Sequence, residues 1–201
     1  MHPAHWHQLA SMDRDETARR TGCVYLREGD SFTMALLDEH YRVDMAGSSV
    51  WRLAEAGEPA PAGFLEELCI LTYLLNARDV PLANELVQAE KLDPGGFFFR
   101  GSHKLPIGKL ETVLGRAPEA LIGLTEVLTA KTCTFGDASI EVFVLPRIPV
   151  TLIIWSADEE FPARASILFD RSAIDQMPLD ALYALAKFTV NRVVKLVEAR
   201  S

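Results

Sequence analysis

The run Val150-Thr151-Leu152-Ile153-Ile154-Trp155 restricts the possible folds more than any other stretch of this chain. β-Branched and aromatic residues fit a pleated, packed surface, and a run that is apolar on both alternating faces needs cover above and below. It predicts a central strand with a neighbour on each edge. Ile140, Val142 and Val144 alternate with Glu141 and Phe143 in a strand over 139–145, which a Gly136-Asp137 turn joins to a strand over 131–135. Residues 165–169 are expected as the hairpin partner of the central run.

The same period of two recurs near the start, at Val24 and Leu26, then Phe32, Met34 and Leu36, then Tyr41, Val43 and Met45. Glu28-Gly29-Asp30 and Asp38-Glu39-His40 separate these groups, which predicts a three-stranded antiparallel meander. Helical spacing marks the remaining long elements. A weakly amphipathic helix is expected over 4–20, stopped by Thr21-Gly22. A helix after Pro61 turns Phe64, Leu65, Leu68, Leu71 and Leu75 inward and Glu66 and Glu67 outward. A last helix over 178–198 sets Leu182, Leu185, Ala186, Val193 and Val197 against a face of Asp180, Lys187, Asn191, Lys195 and Glu198. Prolines open shorter helices over 106–114 and 118–129, and 54–62 reads as a loop. Residues 81–92 satisfy neither period. Asp93-Pro94-Gly95-Gly96 is a turn, and Phe97-Phe98-Phe99 after it is too aromatic to be left in water. The fold class is α+β, a mostly antiparallel sheet packed by helices, with a helical arm over 1–21 and a single domain over 22–201.

Apolar residues are 49% of the 201 and charged ones 24%, enough for a core that needs no disulfide. Twenty basic residues against 28 acidic ones leave a net charge of −8, with no segregated basic stretch, which excludes a nucleic-acid partner. Three scattered cysteines, Cys23, Cys69 and Cys133, read as reduced and structural, and no window has the length and apolarity of a membrane span. A cytoplasmic location is expected.

Two segments could carry chemistry. In Gly95-Gly96-Phe97-Phe98-Phe99-Arg100-Gly101-Ser102-His103-Lys104, paired glycines permit close backbone approach, and Arg100, Ser102, His103 and Lys104 supply donors suited to a carboxylate or phosphate. The competing reading is a turn followed by an aromatic strand anchored in the core, its polar residues solvated. In Trp155-Ser156-Ala157-Asp158-Glu159-Glu160-Phe161-Pro162, adjacent carboxylates repel one another, which raises a pKa or attracts a hard cation. The competing reading here is an exposed acidic hairpin that keeps a sheet edge soluble.

Leu145-Pro146-Arg147-Ile148-Pro149, Leu152, Trp155, the Asp158–Pro162 stretch and Ile167-Leu168-Phe169-Asp170, with Phe98–Pro106 and Tyr73-Leu74 in support, give the chain a family likeness. It resembles the uncharacterised prokaryotic family called domain of unknown function 3786, from about residue 20 to the C-terminus. The resemblance implies no assigned activity. Members are characteristic of anaerobic microbes, and some carry a cysteine-rich iron–sulfur segment like that of corrinoid proteins in one-carbon metabolism. This sequence has no such cysteine cluster, so the resemblance implies at most an accessory role near such chemistry.

Three functional expectations follow, none of which specifies a cofactor. In the first, a small anionic ligand binds between the two segments, held by Arg100, Ser102, His103 and Lys104, shielded by Trp155 and Phe161, with Asp158, Glu159 and Glu160 receiving a cation or a basic group of the ligand. In the second, the chain is a hydrolase-like enzyme in which Asp158, Glu159 and Glu160 bind magnesium or manganese and His103 is the acid or base. In the third, it is a non-catalytic interaction module, a homo-oligomer or a subunit docking to a larger enzyme, with Phe97–Phe99 as the contact surface.

Overall fold

The computed structural model describes residues 3–54, 57–92 and 95–200. Two antiparallel five-stranded sheets and the helices close around one continuous hydrophobic core. The first sheet is a meander in chain order: β1 (Val24–Leu26), β2 (Ser31–Leu36), β3 (Glu39–Asp44), β4 (Ser49–Leu53) and β5 (Ala60–Pro61). Its register sets Phe32 opposite Val43 and Met34 opposite Tyr41, and these four, with Val50, are buried on one face. The alternation read in the sequence is therefore real, but the meander has two more strands than the three expected. β4 carries no clear period-two signal because Arg52 stands opposite Tyr41, at a position whose parity calls for an apolar residue.

The second sheet has the order β6 (Leu86–Gln88), β10 (Arg164–Asp170), β9 (Ile148–Trp155), β8 (Ala138–Leu145) and β7 (Lys131–Thr132). The apolar run is its middle strand, with Leu152 between Ile140 on one side and Ile167 on the other. Every residue of β9 from Ile148 to Ile154 is buried, as a strand covered on both faces must be. β7 is shorter than the strand expected over 131–135. β6, followed by a 3₁₀ turn over Ala89–Lys91, occupies part of the stretch that had satisfied neither period.

The helix expected over 4–20 is two, α1 (Pro3–Ala10) and α2 (Arg14–Thr21). The Asp13 side chain accepts from the Glu16 N–H at 2.7 Å and starts the second as an N-cap, and Gly22, at φ +71°, ends it. Trp6 and Leu9 of α1 belong to the common core. α3 (Phe64–Asn76) buries Cys69 through Leu75, whereas Phe64, read as inward, is 70% exposed at the first residue of the helix. α4 (Gly95–Phe98) replaces the expected aromatic strand, with Phe99 buried and Phe97 88% exposed. Asp93 and Pro94 of the expected turn lie outside the described residues. α5 (Gly108–Leu114) is as read, but α6 (Glu119–Ile122) ends at Gly123 and gives way to turns instead of running to Thr129. α7 (Leu179–Glu198) buries the apolar stripe read from its sequence and packs on α3 and α5. No helix among the described residues is long and apolar enough to cross a membrane.

Asp170, at the end of β10, is buried and accepts from the N–H of Ala83 and of Ser172, both at 2.9 Å, and from the Ser172 hydroxyl at 2.5 Å. Burial works to raise its pKa, but these bonds together with one from the Asn84 backbone outweigh it and hold the carboxyl below the ordinary aspartate value. Such a group stabilises the fold above the unfolded-state pKa, about 3.9, and loses that contribution as pH falls through the lower folded value. Asp170→Ala is expected to cost about 1–3 kcal/mol in urea denaturation at pH 7, because it strands buried donors. The gap between the two proteins should narrow in acid.

The two sheets meet where the β2–β3 turn touches β8. There the Leu37 N–H donates to the Val144 carbonyl at 2.8 Å, and Leu37 adopts φ +56°, an uncommon conformation for a residue with a branched side chain.

Candidate functional site

The segments singled out in the sequence are engaged separately. The Arg100 guanidinium lies 5.4 Å from the centre of the Phe97 ring. His103, in a 3₁₀ turn over Gly101–His103, stacks on Phe98 at 4.5 Å and meets the Tyr183 ring edge-on at 5.6 Å. Lys104 is exposed, and its N–H closes the turn on the Gly101 carbonyl. Ser102 contributes its backbone to this turn, and its side chain lies outside the described atoms.

On the acidic side, Asp158 Oδ1 accepts from the N–H of Glu160 at 2.8 Å and of Phe161 at 2.6 Å, folding the loop onto itself. These bonds hold the Asp158 carboxyl below its ordinary pKa. Glu159 and Glu160 face solvent, as does Phe161. The loop is tied down by the Ala157 N–H to the Gly115 carbonyl at 3.0 Å and the Ser156 N–H to Asp137 Oδ2 at 2.7 Å. Trp155, half-buried, carries the Arg164 guanidinium 5.6 Å from the centre of its ring and borders a recess of about 490 Å³ with Lys91 and Ser166. Among the described residues, no hydrogen bond, ion pair or ring contact joins the Arg100–Lys104 segment to the Asp158–Phe161 loop, and no three His, Cys, Asp or Glu side chains gather as a cation cage. Asp158 is turned inward on its own loop, while Glu159 and Glu160 point into water.

The structure gathers charge elsewhere, at the junction of the two sheets. Arg192 of α7 clasps Asp38 in the β2–β3 turn, with Nε 2.9 and 3.1 Å from the two carboxylate oxygens and Nη2 2.6 Å from Oδ2. The pair is largely withdrawn from water, the Asp38 side chain 7% exposed and that of Arg192 19%. Pairing with Asp38 raises the Arg192 pKa. Glu39 lies 3.2 Å from Arg192 and 3.3 Å from Arg52, and accepts from the Tyr41 hydroxyl at 2.7 Å. Glu66 of α3 stands 3.2 Å from that hydroxyl and also accepts from the Gly63 N–H. Burial first, and then the bond to Glu39, pushes the Tyr41 pKa up and keeps it a neutral donor.

The local sequence explains each placement. Glu39 shares the inward parity of Tyr41 and Val43 on β3, and Arg52 faces Tyr41 across the ladder. Phe188, Asn191, Arg192 and Lys195 follow one another at helical spacing on α7. Glu66, read as outward, is drawn back over the helix N-terminus by its backbone bond. Only parity could have signalled any of this, because Asp38-Glu39-His40 otherwise reads as a solvated turn.

Two recesses meet at Glu39, Arg52 and Arg192. The smaller, about 160 Å³, is completed by Leu65, Glu66, Phe188, Asn191 and Lys195; Tyr41 engages its two carboxylates, and Arg192 and Arg52 are themselves paired with Asp38 and Glu39. The Lys195 ammonium makes no hydrogen bond or ion pair among the described residues, although its carbonyl accepts from the Ala199 N–H at 3.1 Å. The larger is a groove of about 1180 Å³ running past the β2–β3 turn, Phe143 of β8 and the turns over 126–129. Leu37 and Thr129, two of the residues in its wall, have positive φ, and such strain persists only where the surroundings enforce it.

The family described as Domain of unknown function (DUF3786) has a model that matches residues 13–192. Among curated proteins and solved structures, none matches the chain.

Proposed function

We propose that this chain, which belongs to the DUF3786 family of domains of unknown function, binds a small anionic ligand at the junction of its two sheets, as an accessory protein. The observation that carries this reading is the convergence of Arg52, Arg192 and Lys195 on one recess opening beside a large groove. An anion there meets guanidinium and ammonium donors in a partly desolvated setting, where charge-assisted hydrogen bonds are strongest. Asp38 and Glu39 already engage Arg192, and Glu39 engages Arg52, so an anion there competes with these carboxylates for the guanidinium donors, and the Lys195 ammonium is the cation of the recess with no such competitor among the described residues. The anionic ligand expected between the Arg100 and Asp158 segments is thus reassigned to a different part of the fold. An accessory role near one-carbon or corrinoid chemistry fits such a binder, with the family resemblance as its only support.

Titration with inorganic phosphate and with acetate, followed by thermal unfolding, tests the reading. Binding at a hundredfold excess over Kd adds about 2.7 kcal/mol, or roughly 5–10 °C for a chain of this size. Arg52→Ala combined with Lys195→Ala should abolish the shift while leaving the unliganded protein folded, because both side chains reach solvent. Absence of any shift, or a shift the double variant retains, overturns the reading.

A further inference from the structure

Resting on that reading, we infer that the ligand is an amphipathic acid, one anionic head on an elongated apolar body, rather than a compact polyanion. In the small recess Arg192 is already paired with Asp38 and Glu39, and Arg52 with Glu39, so among the described residues lining it the Lys195 ammonium is the cation left to meet a ligand's charge. The groove alongside adds no lysine or arginine to these paired groups and brings Glu126 into its wall beside Asp38 and Glu39. A second or third phosphate extending into the groove would meet carboxylates at close range, and like charge disfavours it. A single head group is what the charge arrangement accepts.

The groove offers the rest of the ligand an apolar wall. Phe143, Val127, Leu53 and Leu196 line it, and the first two are 43% and 38% exposed, an unusual state for large apolar side chains bordering one concavity. Phe143 stands on the outward face of β8, where period two calls for a polar residue such as Glu141 two positions before. At about 1180 Å³ the groove exceeds what a bare anion fills, and it begins at the same arginines that would hold the head.

A series of straight-chain carboxylates from acetate to decanoate, with pyrophosphate as the compact polyanion, reads this directly by calorimetric titration. Each methylene taken into the groove should tighten Kd about two- to fourfold, as burial of a CH₂ group does. Phe143→Ser and Val127→Ser remove exposed side chains, so both variants should fold, flatten that chain-length slope and leave acetate affinity unchanged. Lys195→Ala should weaken the whole series by a common factor. An affinity indifferent to chain length, pyrophosphate binding more tightly than octanoate, or a slope intact in both serine variants overturns the amphipathic acid while leaving the anion site standing. Failure of every anion to bind removes both.

Discussion

Arg192→Ala is expected to cost about 3–5 kcal/mol of folding stability, the range for breaking a buried ion pair from one side. The loss arises less from the missing attraction than from what remains. Asp38, withdrawn from water in the β2–β3 turn, loses three close contacts, and Glu39 loses one of its two guanidinium partners. Urea denaturation at pH 7 gives the number directly. Arg192→Met combined with Asp38→Leu should recover much of the loss, because replacing both partners with apolar groups of similar volume removes the stranded charge. A cost below about 1 kcal/mol for Arg192→Ala would mean that the pair is solvated like an ordinary surface salt bridge.

Leu152→Ala carries the other large expected effect, in the upper part of the about 2–5 kcal/mol range for a buried leucine. Leu152 is fully buried in the middle strand of its sheet, paired to Ile140 and Ile167. With the backbone fixed on both sides by ladder bonds, the site cannot collapse around the missing methyl groups, and residual cavity volume sets the penalty. Phe143→Ala on the neighbouring strand, although it removes a larger side chain, should cost much less because Phe143 is already half in water. Denaturation of the two variants side by side checks the contrast, and equal losses would contradict the burial assigned to β9 and β8.

These two sites differ in how far the sequence announces them. Leu152 is legible because apolar neighbours at both parities can mean little other than a covered strand, and α3 and α7 are legible because their stripes recur over several turns. The charged junction is not. Asp38 and Glu39 lie at a strand break, Glu66 on a face read as exposed and Lys195 on a helix face that is polar throughout, each consistent with simple solvation. Arg52 lies in a strand that its own presence hides. The acidic run over 158–160 and the Arg100–Lys104 segment were conspicuous as sequence, yet local backbone bonds and ring stacking account for the Asp158, Arg100 and His103 side chains.

The amino-acid order by itself determined the α+β class, the middle strand, the main helices and the sign of the net charge, because each depends on periodicity or composition along one stretch of chain. Where charge converges was decided only in three dimensions. Residues 38, 52, 66 and 192 come together because a strand turn, a ladder register, a helix start and a helix face meet at the closing of two sheets. That meeting depends on long-range packing, which leaves no periodic trace in any one segment.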